Sequence, residues 1–92
     1  MPDNFYGTGR RKSSVARVTI TEGNGKFTFN GKNLEQYFPS PSMKMTIEKP
    51  FKVVSLEGKF DMVVNVNGSG LSAQSDAVAL GISRALIKMD PE

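Results

Sequence analysis

The residues best suited to chemistry lie in one short cationic stretch near the start of the chain. It contains four of the twelve Lys and Arg residues, and Asp3 is the only acidic residue before Glu22. Guanidinium groups suit phosphate oxygens, hydroxyl groups add short donors, and glycine lets a backbone N–H approach a partner closely. This combination predicts a surface that holds a nucleic-acid backbone. The residues assigned to it are Gly7, Thr8, Gly9, Arg10, Arg11, Lys12, Ser13, Ser14 and Arg17.

The same cluster has a simpler interpretation. Basic residues on an exposed strand prevent one sheet from pairing with another and need no ligand. A chain of that kind would be a protein-interaction module with a solvated basic edge, and its partner binding would not depend on salt.

A second candidate site lies between a predicted strand and the last predicted helix. Residues 68–73 match the G-x-G-x-x-A form of the dinucleotide fingerprint, but the sequence offers no following strand with the acid that such a site needs. Amide groups at a helix N-terminus still attract phosphate. The turn therefore indicates an auxiliary RNA contact, a small phosphate- or nucleotide-binding domain, or a tight turn that only needs glycine. Its residues are Gly68, Ser69 and Gly70, and Arg84 is either a solvated charge or a second phosphate contact.

Composition narrows the class of protein. The 92 residues include no Cys and no His, which excludes disulfides, zinc fingers and Cys or His catalysis, and no catalytic residue, metal or cofactor is predicted. No apolar run approaches the roughly 20 residues of a membrane span, and the first residues do not form a signal peptide, so we expect a cytoplasmic protein. A net charge of +3, concentrated at one end, favours an anionic partner.

Periodicity predicts the first elements. Residues 15–21 alternate as a strand with one buried face, which directs Arg17 away from the core. Residues 22–25 indicate a hairpin turn into a second strand over 26–29. The cationic residues that precede Arg17 are expected to form a flexible lead-in.

The rest of the chain predicts helices on a sheet. Asn33 is expected to cap a helix over 34–38, and a second short helix should begin at Pro41 and end before Pro50, with a turn over 51–54. Residues 60–67 predict a central strand, and residues 72–89 a long helix. The predicted core combines apolar residues of the strands and the long helix: Val18, Ile20, Phe60, Met62, Val64, Val66, Val78, Ile82, Leu86 and Met89.

Taken together, these blocks resemble the ninth protein of the bacterial small ribosomal subunit. Matching segments occur in order over almost the whole chain, with Ser69 where the family usually has a third glycine. The segments are residues 6–14 with Ala16 and Arg17, residues 34–38, residues 68–70 with Gln74, and residues 81–86.

The resemblance implies a single α+β domain over residues 1–92, with a mixed sheet covered by helices. The implied fold is that of the second domain of the fifth small-subunit protein, with a left-handed β-α-β crossover. It also implies a non-catalytic protein that binds ribosomal RNA in the head of the small subunit, beside neighbouring ribosomal proteins, and it adds Gln74 to the RNA-binding residues. The family continues with a basic tail that reaches towards the peptidyl-site tRNA, and no residues here correspond to it, so tRNA contact is not assigned.

Overall fold

The computed structural model describes residues 4–53, 59–68 and 70–89, which form a five-stranded sheet with helices on one face. The strand order is β1-β2-β5-β3-β4, and only the β3–β5 pair is parallel. This mixed sheet covered by helices confirms the predicted α+β class. The elements are β1 (Phe5–Arg11), β2 (Ser14–Glu22), β3 (Phe27–Phe29), β4 (Lys32–Asn33), α1 (Leu34–Tyr37), α2 (Pro41–Val53), β5 (Phe60–Asn67) and α3 (Leu71–Met89).

The core lies between the sheet and the helical layer. Alternate residues of β2 and β5 are buried while their neighbours are exposed or half-buried, as expected for strands covered on one face. The predicted core is confirmed, with Phe60 and Met89 packed at its margin. Further large buried side chains come from β3, from the residue that follows α1 and from α2: Phe29, Phe38, Ile47 and Phe51.

The predicted hairpin between residues 15–21 and 26–29 is wrong. Strand β2 pairs with β1 and β5, whereas β3 lies on the far side of β5. Asp61 on β5 accepts backbone N–H groups from Asn24 and Lys26, which holds the connecting loop across the end of β5. The residues expected to form a flexible lead-in instead form β1, and the first hairpin joins β1 to β2.

Helix α2 continues through Pro50, where the sequence predicted its end. Proline in a helix interior removes one backbone hydrogen bond and disfavours the preceding turn. Here Ile47 and Phe51, which are one turn apart, are both buried, and the Phe51 ring stacks on Phe27 with centroids 5.2 Å apart. Burial of these side chains offsets the cost of the proline. The predicted turn is therefore wrong at Phe51–Val53, and Val54 lies outside the described residues.

Helices α1 and α3 follow the sequence closely. Asn33 caps α1, as predicted, and Gln36 completes a capping box by accepting the Asn33 backbone N–H. Phe38 is the residue that ends α1 and its side chain is fully buried. Helix α3 begins at Leu71, one residue earlier than predicted. Its length lets it cover β1 and β2 together.

Candidate nucleic-acid interface

The turn between β1 and β2 presents Lys12 and Ser13 to solvent. Arg11 and Ser14 pair across the hairpin, so only two residues connect the strands. Lys12 has φ +56°, a left-handed conformation that residues other than glycine seldom adopt. The hairpin therefore holds the Lys12 backbone in one orientation at the end of the sheet. Ser14 is buried, so its predicted place on the interface is corrected.

The glycine turn before α3 packs against this hairpin turn. Gly68 has φ +112°, and a Cβ atom there would lie 2.6 Å from the Ser14 Cα and closer still to the Ser13 carbonyl oxygen. Only glycine meets both requirements. The two sites that the sequence predicted separately therefore form one surface at one end of the sheet. We call this surface, comprising Lys12, Ser13, Gly68 and Gly70, the turn surface.

Gly70 differs from Gly68 in both respects. Its φ is not positive, and a Cβ atom there would meet no atom within 4 Å, although both glycines are exposed. Its carbonyl oxygen accepts the Gln74 N–H at 3.1 Å, which starts the hydrogen-bonding of α3. The first N–H groups of a helix have no partners within it and carry partial positive charge, so Gly70 lies where a phosphate would approach. Ser69 lies outside the described residues.

The four predicted phosphate-binding cations do not share one face. Successive strand residues point to opposite sides, so Arg10 lies on the face without helices and Arg11 on the helical side. Arg17, on the neighbouring strand, is exposed on the same open face as Arg10. Arg11 Nε lies 3.7 Å from Asp76 Oδ2 of α3. Asp76 was not predicted to belong to this cluster, because the fold and not the local sequence brings the acid next to Arg11.

Gly7 and Gly9 serve the packing of β1 under α3. A Cβ atom at Gly7 would lie 2.6 Å from the Ala85 nitrogen, and one at Gly9 would lie 2.5 Å from the Gly81 nitrogen. Both glycines are buried, so the prediction that they bring amide groups to a partner is wrong. Gly81 serves the same packing from the helix side, since a Cβ atom there would lie 2.8 Å from Val18 Cγ2.

Two further residues predicted to contact RNA, Gln74 and Arg84, make hydrogen bonds within the protein. Arg84 Nη1 donates a hydrogen bond to the Thr8 carbonyl oxygen at 2.7 Å, which ties α3 to β1. Gln74 is buried, and its amide bonds to Tyr37 and, at 3.5 Å, to the Gly68 carbonyl oxygen. Burial and these bonds correct the assignment of Gln74 to the RNA surface, whereas Arg84 is exposed and its phosphate contact stays a prediction. Thr8 is half-buried on the open face.

Comparison with known proteins identifies the family of the chain. A family model described as ribosomal protein S9/S16 matches residues 9–92. The chain belongs to the ribosomal protein S9/S16 family. Small ribosomal subunit protein uS9 of Maridesulfovibrio salexigens is similar to it, with 51% identity over 90 residues that cover 98% of this chain and 69% of the relative. Membership of the S9/S16 family confirms the resemblance seen in the sequence.

The S9/S16 family consists of structural ribosomal proteins that are not enzymes, and RNA binding is a general property of the family. This confirms the prediction of a non-catalytic chain and removes the phosphate-handling enzyme considered for the glycine turn. Within the described residues, no group of three or more acidic, His or Cys side chains is placed to hold a metal ion. In the same part of the chain, no helix is long and apolar enough to cross a membrane.

Proposed function

We propose that this chain is a single-domain structural constituent of the small ribosomal subunit that binds ribosomal RNA in the subunit head and thereby supports translation. The similarity to a small-subunit protein supports the choice of subunit. Its partners are small-subunit ribosomal RNA and the neighbouring proteins of the head, and its location is the cytoplasmic ribosome. Contact with tRNA is not part of the proposal.

One observation carries the proposal: the Gly68 turn packs against the Lys12 hairpin turn. This contact places an exposed lysine beside the N-terminal end of α3, where amide groups and the helix dipole favour anions. Arg10 and Arg17 extend the positive charge along the open face of the sheet. Cations and backbone amides at one end of a rigid domain form a site for the phosphates of folded RNA.

Recognition by this surface depends on shape more than on base sequence. RNA helices hide their major groove, so a compact basic surface contacts phosphates, 2′-hydroxyl groups and local tertiary form. The two-residue hairpin and the close contact of Gly68 with it fix the positions of Lys12 and Gly70 before any RNA binds. A preorganised surface avoids part of the ordering cost of association.

Filter binding of small-subunit ribosomal RNA at several salt concentrations tests the proposal. The double variant Arg10→Ala, Lys12→Gly should weaken binding and reduce the slope of log K against log salt by about 1.4, which corresponds to two phosphates at about 0.7 each. Lys12→Gly also relieves a left-handed conformation that costs about 1 kcal/mol or more, so weaker binding would not result from unfolding.

The control removes the same charge from α2. Lys44→Ala, Lys52→Ala lowers the net charge by two units on the helical side, away from the turn surface. This variant should keep the wild-type salt slope. Equal slopes for wild type and for Arg10→Ala, Lys12→Gly would contradict the proposal, and equal losses in both double variants would show binding through net charge alone.

A further inference from the structure

The face of the sheet opposite the helices carries, besides Arg10 and Arg17, exposed aromatic and amide side chains that the proposed phosphate contacts do not use. Cross-strand pairing arranges its side chains in three rows, because β1, β2 and β5 are antiparallel neighbours in register. Directly paired residues in such rows have Cβ atoms about 4.5–5.5 Å apart. The rows, each from β1 to β5, are Tyr6 with Thr19 and Val63, Thr8 with Arg17 and Asn65, and Arg10 with Val15 and Asn67.

Tyr6 is the aromatic residue of this face. Its side chain is 55% exposed, and its hydroxyl oxygen accepts a 3.3 Å hydrogen bond from the exposed side chain of Asn4. Val63, one strand further, is 54% exposed. The Tyr6 ring therefore lies on a strand that is held in place by pairing with β2. Because the ring is more than half exposed, it contributes little to the core. Exposed aromatic rings on a sheet are the groups on which unpaired nucleobases stack.

The polar side chains around Tyr6 are also suited to binding an unpaired nucleotide. Arg17 lies two residues along from Thr19, the direct neighbour of Tyr6, and is exposed. Asn65 and Asn67 are exposed, and their amide groups can both donate to and accept from the edge of a base. These groups provide a stacking surface, a hydrogen-bonding surface and a cation within a few residues of one another.

The charge of the face favours an anionic ligand such as RNA over a basic or apolar protein surface. Among the described residues of β1, β2 and β5 that point to this side, Asp61 is the only acid, and it lies at the end away from the hairpin turn. Its carboxylate already accepts the N–H groups of Asn24 and Lys26. The cations Arg10 and Arg17 continue towards Lys12, so the face is continuous with the turn surface.

We propose that the open face binds an unpaired RNA segment, with one nucleobase stacked on Tyr6 and the adjoining phosphates neutralised by Arg10 and Arg17. This inference rests on the proposed function and adds a mode of recognition that does not depend on charge. A folded ribosomal RNA would present such a segment as a bulge, a loop or a junction strand.

Binding of small-subunit ribosomal RNA by Tyr6→Ala, Tyr6→Phe and Val63→Ala, each over a range of salt concentrations, tests the inference. Tyr6→Ala should weaken binding on the order of tenfold, as expected for the loss of one stacked base, while the salt slope stays that of wild type because no charge is lost. Tyr6→Phe keeps the ring and should bind like wild type. Val63→Ala removes exposed apolar surface from the same row and should change affinity much less than Tyr6→Ala.

A second measurement uses the unaltered chain, so it does not depend on the folding of any variant. Ultraviolet cross-linking to small-subunit ribosomal RNA, followed by mass spectrometry, should give a nucleotide adduct on Tyr6. Unchanged affinity of Tyr6→Ala, weakening of Tyr6→Phe to the level of Tyr6→Ala, or nucleotide adducts on other residues of the chain but not on Tyr6 would each overturn the inference. If Arg10→Ala, Lys12→Gly still flattens the salt slope in that case, the proposed function stands; if wild type does not bind the RNA, both proposals fail.

Discussion

The hydroxyl group of Tyr37 donates a hydrogen bond to Oε1 of Gln74 over 2.9 Å. The same hydroxyl accepts a bond from Asn30 Nδ2 at 3.1 Å, and Gln74 Nε2 points to the Gly68 carbonyl oxygen at 3.5 Å. Asn30 in turn bonds to both backbone groups of Val66 through its side chain. This chain of polar groups connects the end of β3, α1 and α3 to the glycine turn. The position of the glycine turn is therefore set in part by side chains of other elements, which lie outside the turn surface.

Removing the Tyr37 hydroxyl should destabilise the domain. Tyr37→Phe keeps the ring packing but leaves Oε1 of the buried Gln74 without its donor, and an unsatisfied buried acceptor costs about 1–3 kcal/mol. Urea denaturation should show this loss in the free energy of unfolding. Tyr6→Phe is the matched control: it removes an exposed hydroxyl and should stay within about 0.5 kcal/mol of wild type. Equal stability of the two variants would show that the network contributes nothing.

Serine substitutions at Gly9 and Gly70 should separate the two uses of glycine. At Gly9 the new Cβ would meet backbone atoms of α3, including the Gly81 nitrogen at 2.5 Å, which cannot move without shifting the helix. Gly9→Ser should therefore lower the free energy of unfolding by about 3 kcal/mol or more. Gly70→Ser enters open space and supplies a favoured helix cap, so stability should change by less than about 0.5 kcal/mol. Similar losses at both positions would contradict the packing described for β1.

Acid should weaken the hydrogen bonds that attach the loop between β2 and β3 to Asp61. The N–H groups of Lys26 and then Asn24 lower the pKa of Asp61 below its ordinary value of 3.8, because they stabilise the charged carboxylate. A pKa lowered in the folded state adds stability above the unfolded value, and this stability is lost as the pH falls through the folded value. The free-energy difference between wild type and Asp61→Ala should thus be largest near neutral pH and shrink as the solution is acidified below pH 3.8. A difference that stays constant down to the lowest pH at which the protein folds would contradict this assignment.

The sequence predicted the elements whose pattern is local. The alternation in residues 60–67, the apolar stripe of α3 and the cap at Asn33 each depend on spacing within one segment, and all three are confirmed. The predictions that were wrong depend on tertiary contacts between distant parts of the chain. Pro50 stays within α2 because Phe51 is buried against Phe27, a contact that the local sequence does not reveal.

At the candidate site, too, the local features were predicted from the sequence and the tertiary contacts were not. The sequence identified the cationic stretch and the glycine turn, but their contact through Gly68 depends on strand pairing across the sheet. It also assigned Gly7 and Gly9 to a ligand, since a need for close approach does not say whether the partner is RNA or the protein's own helix. Because successive side chains of a strand point to opposite faces of the sheet, Arg10 and Arg11 lie on different faces although they are adjacent in the chain.

The pairing of Arg11 with Asp76 leads to the last prediction. At 3.7 Å, with both side chains about half exposed, the pair contributes at most about 1 kcal/mol to stability, but it partly neutralises a cation beside the turn surface. Asp76→Asn should therefore bind small-subunit ribosomal RNA more tightly and steepen the slope of log K against log salt by up to about 0.7, as Arg11 becomes free for a phosphate. Glu22→Gln makes the same charge change at the opposite end of β2 and should leave the slope unchanged. Equal gains in the two variants would indicate a dependence on net charge, and no gain for Asp76→Asn would place Arg11 outside the RNA contact.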